Sequence, residues 1–166
     1  MATTNVKVNL SGLARKLIRD GLLTEENAAK ATVGALKDKR PFVSYVVEKQ
    51  MIAPLALAMA ASQEFGVPVF DLNALDLDDS VTKLVEEKLV RAHHALPLFK
   101  RGNRLFVAVS DPTNLVALDE IRFHVSAHTE AVLVEEDKLT RLIEKAMDAH
   151  DTSMSDLGDS SLDDLD

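Results

Sequence analysis

Apolar residues in the first 66 positions recur at the spacing of α-helices, and no stretch there alternates as a strand does. The first predicted helix spans about residues 9–20 and ends at Gly21. Thr24, followed by two glutamates, has the residue type that caps the start of a second helix. A third helix begins near Pro41, and a fourth begins at Pro54, since proline is favoured in the first turn.

These four helices contain an internal repeat. Segments 13–31 and 42–60 align without a gap, and each has two bulky apolar residues before a short turn and two after it. In the first copy these pairs are Leu17-Ile18 and Leu22-Leu23. Two tandem helical hairpins that share one core explain this pattern, and they define a predicted helical subdomain over residues 5–66.

From residue 67 onwards, helical and strand patterns alternate. Two apolar runs, 96–99 and 105–109, flank a polar turn that contains Gly102, which is the signature of a β-hairpin. The second run is apolar on both faces, so we expect a strand that is buried on both sides. The other predicted elements are a strand at 69–72, a helix at 80–93, a helix at 113–125, a strand at 130–134 and a helix at 136–149. The predicted fold class is therefore α+β, with the helical subdomain followed by a small α/β-layer subdomain over residues 67–149.

The charge of the chain is concentrated at its end. The formal net charge is −8, but the last 16 residues hold six aspartates and no lysine or arginine. This composition predicts a disordered acidic linker over residues 150–166, although Leu157, Leu162 and Leu165 leave a short docking motif as an alternative. The nearly neutral remainder argues against nucleic-acid binding.

The composition also limits the cellular setting and the chemistry. With no cysteine, the chain cannot form disulfides or use a thiolate. No apolar run approaches the roughly 20 residues of a membrane span, and the first residues do not resemble a signal peptide, so we predict a cytoplasmic protein without membrane insertion.

Catalytic motifs are missing from the sequence. No phosphate-binding GxxxxGK[ST] loop, GxGxxG, HExxH, GxSxG or EF-hand loop occurs, and we predict no catalytic residue, metal ligand or cofactor site in this chain. His124 and His128 have the spacing of a metal pair on one helix face, but they lack a third ligand; the alternative is a surface helix residue and the start of the next strand. Lys100, Arg101 and Arg104 form a basic patch that could hold a phosphate or an acidic partner surface; the alternative is a solvated turn.

Two longer patterns resemble a known family. One is Leu96-Pro97-Leu98, Gly102 and Ser110-Asp111-Pro112, followed by Ala117-Leu118-Asp119. The other is the paired helical hairpin that ends in residues 65–72, FGVPVFDL. Together they resemble the N-terminal region of the type II secretion and type IV pilus assembly ATPases over residues 10–149. The resemblance implies a helical MshEN-like subdomain at 5–66 and a type II secretion ATPase N-terminal subdomain at 67–149.

In this family the motor is a separate hexameric domain with Walker motifs, which this chain does not contain. The resemblance therefore implies that ATP and Mg²⁺ belong to that motor, and that the hexamer contacts the inner-membrane pilus platform. The chain itself is expected to be a non-catalytic regulatory domain.

MshE-type members bind cyclic di-GMP through two copies of a motif that begins RLGxxLVxxG. Here Gly12 and Pro41 replace the leading arginines, and Glu64 stands where an amide is expected. A dinucleotide phosphate needs cationic or polar partners, so direct cyclic di-GMP binding is the alternative and not the leading prediction.

The other role of this region in pilus ATPases is recruitment of a PilZ-type adaptor, which links the motor indirectly to a cyclic di-GMP receptor. That role requires exposed apolar anchors and no phosphate ligands. The first hairpin, with neighbouring side chains, supplies the predicted partner-binding residues Leu13, Leu17, Ile18, Leu22, Leu23, Phe42 and Tyr45. Leu22 and Leu23 adjoin the turn and are expected to be the most exposed of them.

Overall fold

A computed structural model describes the backbone of residues 8–159 and the side chains of residues 8–152. Within these residues, eight α-helices accompany one three-stranded sheet, so the α+β prediction is confirmed. Four of the helices come first, as the sequence indicates, and the sheet lies wholly after residue 94.

Four helices form the two predicted hairpins. They are α1 (Gly12–Arg19), α2 (Glu25–Lys37), α3 (Phe42–Glu48) and α4 (Pro54–Phe65). The hydroxyl of Ser11 accepts a hydrogen bond from the Ala14 amide at 3.1 Å and caps α1, and Thr24 caps α2 in the same way. Gly66 ends α4 in the left-handed conformation with φ 69°, which glycine adopts without a Cβ clash.

The second part contains the sheet and four further helices. A single 3-10 turn (Leu72–Ala74) precedes α5 (Asp79–Thr82), α6 (Glu87–His93), β1 (Ala95–Arg101), β2 (Arg104–Val109), α7 (Leu115–Val125), β3 (His128–Leu133) and α8 (Glu136–Asp159). β2 is the central strand, antiparallel to β1 and parallel to β3. This position explains why β2 is apolar on both faces, because Leu105 and Ala108 point to opposite sides and both are buried.

Two predicted elements differ from the structure. Residues 80–93 form two short helices and not one, because Lys83 caps the end of α5 and the backbone of Glu86 is extended, with φ −62° and ψ 142°, before α6 begins. The predicted strand at 69–72 is reduced to one bridge between Val69 and Leu133. The Asp71 side chain then accepts a hydrogen bond from the Asn73 amide, which starts the 3-10 turn and takes the chain away from the sheet.

The last helix corrects the prediction for the acidic segment. α8 continues to Asp159, so the disordered linker predicted from residue 150 is wrong over residues 150–159. Leu139, Ile143 and Met147 anchor α8 in the core, and extending a helix that is already formed costs far less than starting one. Residues 160–166, with Leu162 and Leu165, lie outside the described residues, and so does the side chain of Leu157.

The apolar side chains form two clusters. The helical cluster lies between α1, α2, α3 and α4, and the sheet cluster lies between the strands, α5, α6, α7 and α8. Leu133 on β3 belongs to the helical cluster, whereas its neighbours Val132 and Val134 belong to the sheet cluster. β3 therefore contributes to both cores. The subdomain boundaries at 66–67 and 149–150 stay predictions.

Candidate partner-binding surface

Three of the predicted partner-binding residues lie in the core. Leu13 and Leu17 have no exposed surface, and Leu23 retains 6%. The expectation that Leu23 is among the most exposed residues is therefore wrong. The amides of Leu22 and Leu23 both donate to the carbonyl of Leu17, so the turn folds back on α1 and directs Leu23 inwards.

The other four predicted residues are half-buried. Each packs on the helical cluster while part of its side chain faces outwards, and they are Ile18, Leu22, Phe42 and Tyr45. These residues have the burial that an interface anchor needs, because they are held in place and still present apolar surface. Their role in partner binding stays a prediction.

The structure adds two exposed residues on α2 that the sequence interpretation missed. Leu36 is 76% exposed and Val33 is 53% exposed. They lie three positions apart, so they share a side of the helix, and that side differs from the buried alanine stripe. Their position outside the stripe of Ala28, Ala31 and Ala35 was the available signal in the sequence.

A groove of about 510 Å³ lies beside these residues. Its lining includes Val33, Gly34, Tyr45 and two cations, Lys30 and Lys37. Tyr45 lies directly over Gly34, where an added Cβ would be 2.3 Å from the tyrosine oxygen. The glycine at position 34 thus allows the Tyr45 ring to pack closely against α2.

The positions of the decayed dinucleotide motif serve packing in this chain. Ala14 and Val43, which stand at the first glycine of RLGxxLVxxG in the two copies, are completely buried. Glu64, which stands where an amide is expected, forms an ion pair with Arg19 at 2.7 Å. An acidic side chain at this place repels phosphate, and its partner arginine is already engaged.

In the part of the chain that the structure describes, neither the basic patch of the hairpin turn nor the two spaced histidines form a ligand site. Arg104 is paired with Glu130, and Arg101 lies 5.7 Å from the ring centre of Phe99. His124 is in α7 and His128 begins β3, as the second of the two sequence interpretations expects. Among the described residues, no group of three or more histidines and acids has the arrangement of a metal site.

A buried polar cluster, which the sequence interpretation missed entirely, connects the two parts of the chain. Glu136 at the start of α8 is 4% exposed, and its Oε1 lies 2.8 Å from Nε2 of His94 and accepts from the hydroxyl of Ser44 at 2.7 Å. Burial alone would raise the pKa of Glu136, but hydrogen bonds from His94, Ser110 and Ser44 outweigh it and lower that pKa. The other oxygen, Oε2, has no protein partner.

The described helices include none that is long and apolar enough to cross a membrane.

Comparison with known proteins identifies the family. The model of the MshEN domain matches residues 65–153, just over half of the chain. The resemblance in the sequence implied that the MshEN-like subdomain is residues 5–66. The matched range of 65–153 lies almost entirely in the part that follows.

Curated relatives extend the similarity to the helical part. The type IV pilus assembly ATPase PilB of Pseudomonas aeruginosa is 39% identical over 162 residues, which cover 98% of this chain and 29% of that protein. PilB of Acinetobacter baylyi is 36% identical over 143 residues, covering 86% of this chain and 25% of that protein. The chain thus spans less than a third of the length of these relatives.

Solved structures show the same fold. The structure of MshE with cdg has a TM-score of 0.61 at 22% identity and covers 82% of this chain and 99% of the other. The N-terminal domain of XpsE has a TM-score of 0.65 at 15% identity and covers 80% and 91%. The resemblance seen in the sequence is confirmed: the chain belongs to the MshEN domain family and is similar to the N-terminal region of type IV pilus and type II secretion ATPases.

Proposed function

We propose that this chain is a non-catalytic interaction domain of a cytoplasmic type IV pilus assembly ATPase, and that it recruits a PilZ-type adaptor to control pilus extension. The observation that carries the proposal is the apolar surface of the first hairpin, where Leu36 and Val33 are exposed and Leu22 is half-buried. The similarity to PilB over nearly the whole chain supports the pilus setting. ATP, Mg²⁺ and the contact with the inner-membrane platform belong to a motor domain outside this chain in this proposal, and the chain itself takes no cofactor.

The adaptor is expected to bind the first hairpin without entering its core. Interface anchors of this kind typically cost about 1–4 kcal/mol each when truncated, roughly a fivefold to thousandfold loss of affinity. Leu22, Val33 and Leu36 offer such truncations, because their side chains are not part of the buried core. A change at Leu23 is unsuitable, since unfolding and loss of binding would be indistinguishable.

Isothermal titration calorimetry with a purified PilZ-type adaptor tests the proposal. We expect Leu22→Ser and the double change Val33→Ser with Leu36→Ser to weaken adaptor binding at least tenfold, with unchanged circular dichroism. Leu84→Ser, which alters a residue of comparable type that is 40% exposed in the second part, is the matched control and should bind normally. Full affinity in folded variants of both kinds would refute docking on this hairpin.

A second function, direct binding of cyclic di-GMP, is supported by a separate observation. The groove beside Tyr45 combines an aromatic ring with Lys30 and Lys37, and the fold is similar to MshE in its structure with cdg. Against it, Lys30 is paired with Glu26 and no arginine lines the groove. Arginine is the side chain best suited to bidentate phosphate binding.

Tyr45 permits a direct test of this alternative. It is the only tyrosine and the chain has no tryptophan, so intrinsic fluorescence reports on this groove alone. We expect cyclic di-GMP to change neither this fluorescence nor the heat of titration. Micromolar binding that is lost in Lys37→Glu would make the nucleotide, and not the adaptor, the leading ligand.

A further inference from the structure

α7 presents an apolar stripe to the solvent in the second part of the chain. Phe123 is 90% exposed and Val116 is 63% exposed, although both belong to a regular helix. They lie seven positions apart, which is two helical turns, so they share one side of α7. The opposite side carries Ala117 and Ile121, which are completely buried, so the stripe is not needed to pack the domain.

Two grooves flank the Phe123 ring. The first, of about 440 Å³, is lined by Leu89, Asp119, Glu120, Phe123 and His124. The second, of about 710 Å³, is lined by Asn103, Asp119, Arg122, Phe123, Ser126, Ala127 and His128. An exposed aromatic ring between two grooves has the shape into which side chains of a docked helix fit.

Two contacts join α7 to α6 and to its capping residue Glu86 beside the first groove. Nε2 of His93 lies 2.5 Å from Glu120 Oε2, and Nε2 of His124 lies 3.9 Å from Glu86 Oε1. These contacts join α7 to the start and to the end of α6.

The charges around the stripe decide which partner fits. Three acidic residues border the stripe: Glu86, Asp119 and Glu120. One basic residue, Arg122, lies beside it. A second copy of this chain is a poor partner. In an antiparallel pairing that places Phe123 of one copy on Val116 of the other, the centre of the contact lies between positions 119 and 120. Asp119 and Glu120 of both copies would then lie together, and these four carboxylates would repel one another.

We propose that the α7 stripe, formed by Val116 and Phe123 between the two grooves, docks an amphipathic helix of another protein that carries lysine or arginine between apolar residues two turns apart. The apolar residues cover Phe123 and Val116, and the basic residues meet Asp119 and Glu120. This surface is separate from the first hairpin, so the chain presents two binding faces.

The test uses two labelled helical peptides of about two heptads. Both have leucines on one face; one has lysine at the remaining positions and the other has glutamate. We expect fluorescence anisotropy to show binding of the lysine peptide alone, weakened at least tenfold by Phe123→Ser and weakened by added salt. The matched control is Leu55→Ser, which removes a leucine that is 53% exposed on α4 and lies outside both proposed surfaces, and it should leave binding unchanged.

A charge reversal makes the test specific. Asp119→Lys should weaken binding of the lysine peptide and give measurable binding of the glutamate peptide, with unchanged circular dichroism because Asp119 is exposed. Equal binding by the unaltered protein and Phe123→Ser would overturn the proposal. Sedimentation that shows a dimer lost in Phe123→Ser would also overturn it, in favour of a second copy.

Discussion

The hydroxyl of Ser44 on α3 donates a hydrogen bond to Glu136 Oε1 on α8 at 2.7 Å, although the two residues are 92 positions apart. Ser44 belongs to the helical part and Glu136 to the part that contains the sheet. Both residues are less than 9% exposed. This bond therefore fixes the position of the second hairpin relative to α8, and its strength can be measured by mutation.

Ser44→Ala is expected to lower the free energy of unfolding by about 1–3 kcal/mol, because it removes a donor from a buried charged acceptor. Urea denaturation followed by circular dichroism measures this loss. Ser80→Ala is the control, since Ser80 bonds to Asp78 at the surface and its loss should matter less. Equal stability of Ser44→Ala and the unaltered protein would show that the bond contributes nothing net.

Acid should weaken the same cluster. The pKa of Glu136 in the folded protein lies below its ordinary value of 4.5, so its carboxylate stabilises the fold fully above about pH 4.5. That contribution is lost as the pH falls through the folded-state pKa. We expect the difference in free energy of unfolding between the unaltered protein and Glu136→Gln to be largest near pH 6 and to shrink towards pH 3.

Glu144→Gln provides the control for the pH series, because Glu144 is an exposed residue on the same helix. Its pH profile should follow that of the unaltered protein. A constant difference between Glu136→Gln and the unaltered protein across this range would contradict the role of the ionised carboxylate.

Burial predicts a large contrast between two leucines of the first hairpin. Leu23→Ala should cost about 2–5 kcal/mol, because it leaves a cavity in the helical cluster. Leu36→Ala should change stability by less than about 0.5 kcal/mol, because most of its surface is in water. Thermal melting of the two variants checks the contrast, and similar melting temperatures would contradict the assigned burial.

Gly34→Ala tests the contact between α2 and α3. An alanine Cβ would lie 2.5 Å from Tyr45 Cζ, so the ring must move outwards. We expect a net destabilisation of about 1–2 kcal/mol, since the steric cost exceeds the gain of about 1 kcal/mol in helix propensity. The fluorescence intensity of the single tyrosine should change towards its value in the unfolded protein. An unchanged intensity would mean that the ring does not move.

Ser126→Gly should stabilise the protein by about 0.5–1 kcal/mol. Ser126 ends α7 with φ 53°, a conformation that costs a non-glycine residue energy. Ser62→Gly in the interior of α4 is the opposite control, where glycine should cost roughly 1 kcal/mol. Denaturation midpoints of the two variants should move in opposite directions.

Local signals in the sequence were sufficient for the four helices of the first part and for the β-hairpin. Thr24, Pro54 and Gly66 mark helix ends through their own backbone chemistry, and Gly102 marks the hairpin turn with φ 59°. The break between α5 and α6 was not predictable in this way, because the burial of Val85 depends on the packing of distant residues.

The candidate site was less predictable for the same reason. Apolar identity alone did not separate Leu23, which faces the core, from Leu36, which faces water. The pairing of Ser44 with Glu136 joins residues whose local sequences contain no sign of each other. Side-chain direction at a turn and contacts across 92 residues both follow from tertiary packing.

The burial of Leu133 in the helical cluster makes the second part of the chain depend on the first. Its side chain is completely buried in the helical cluster, and its amide donates to the carbonyl of Pro68, while the adjacent side chains of β3 face the other core. A polypeptide that began at residue 67 would therefore expose a leucine at the end of the edge strand β3. The two parts should melt as one cooperative unit, and transplanting the second part into another protein would require a polar residue at position 133.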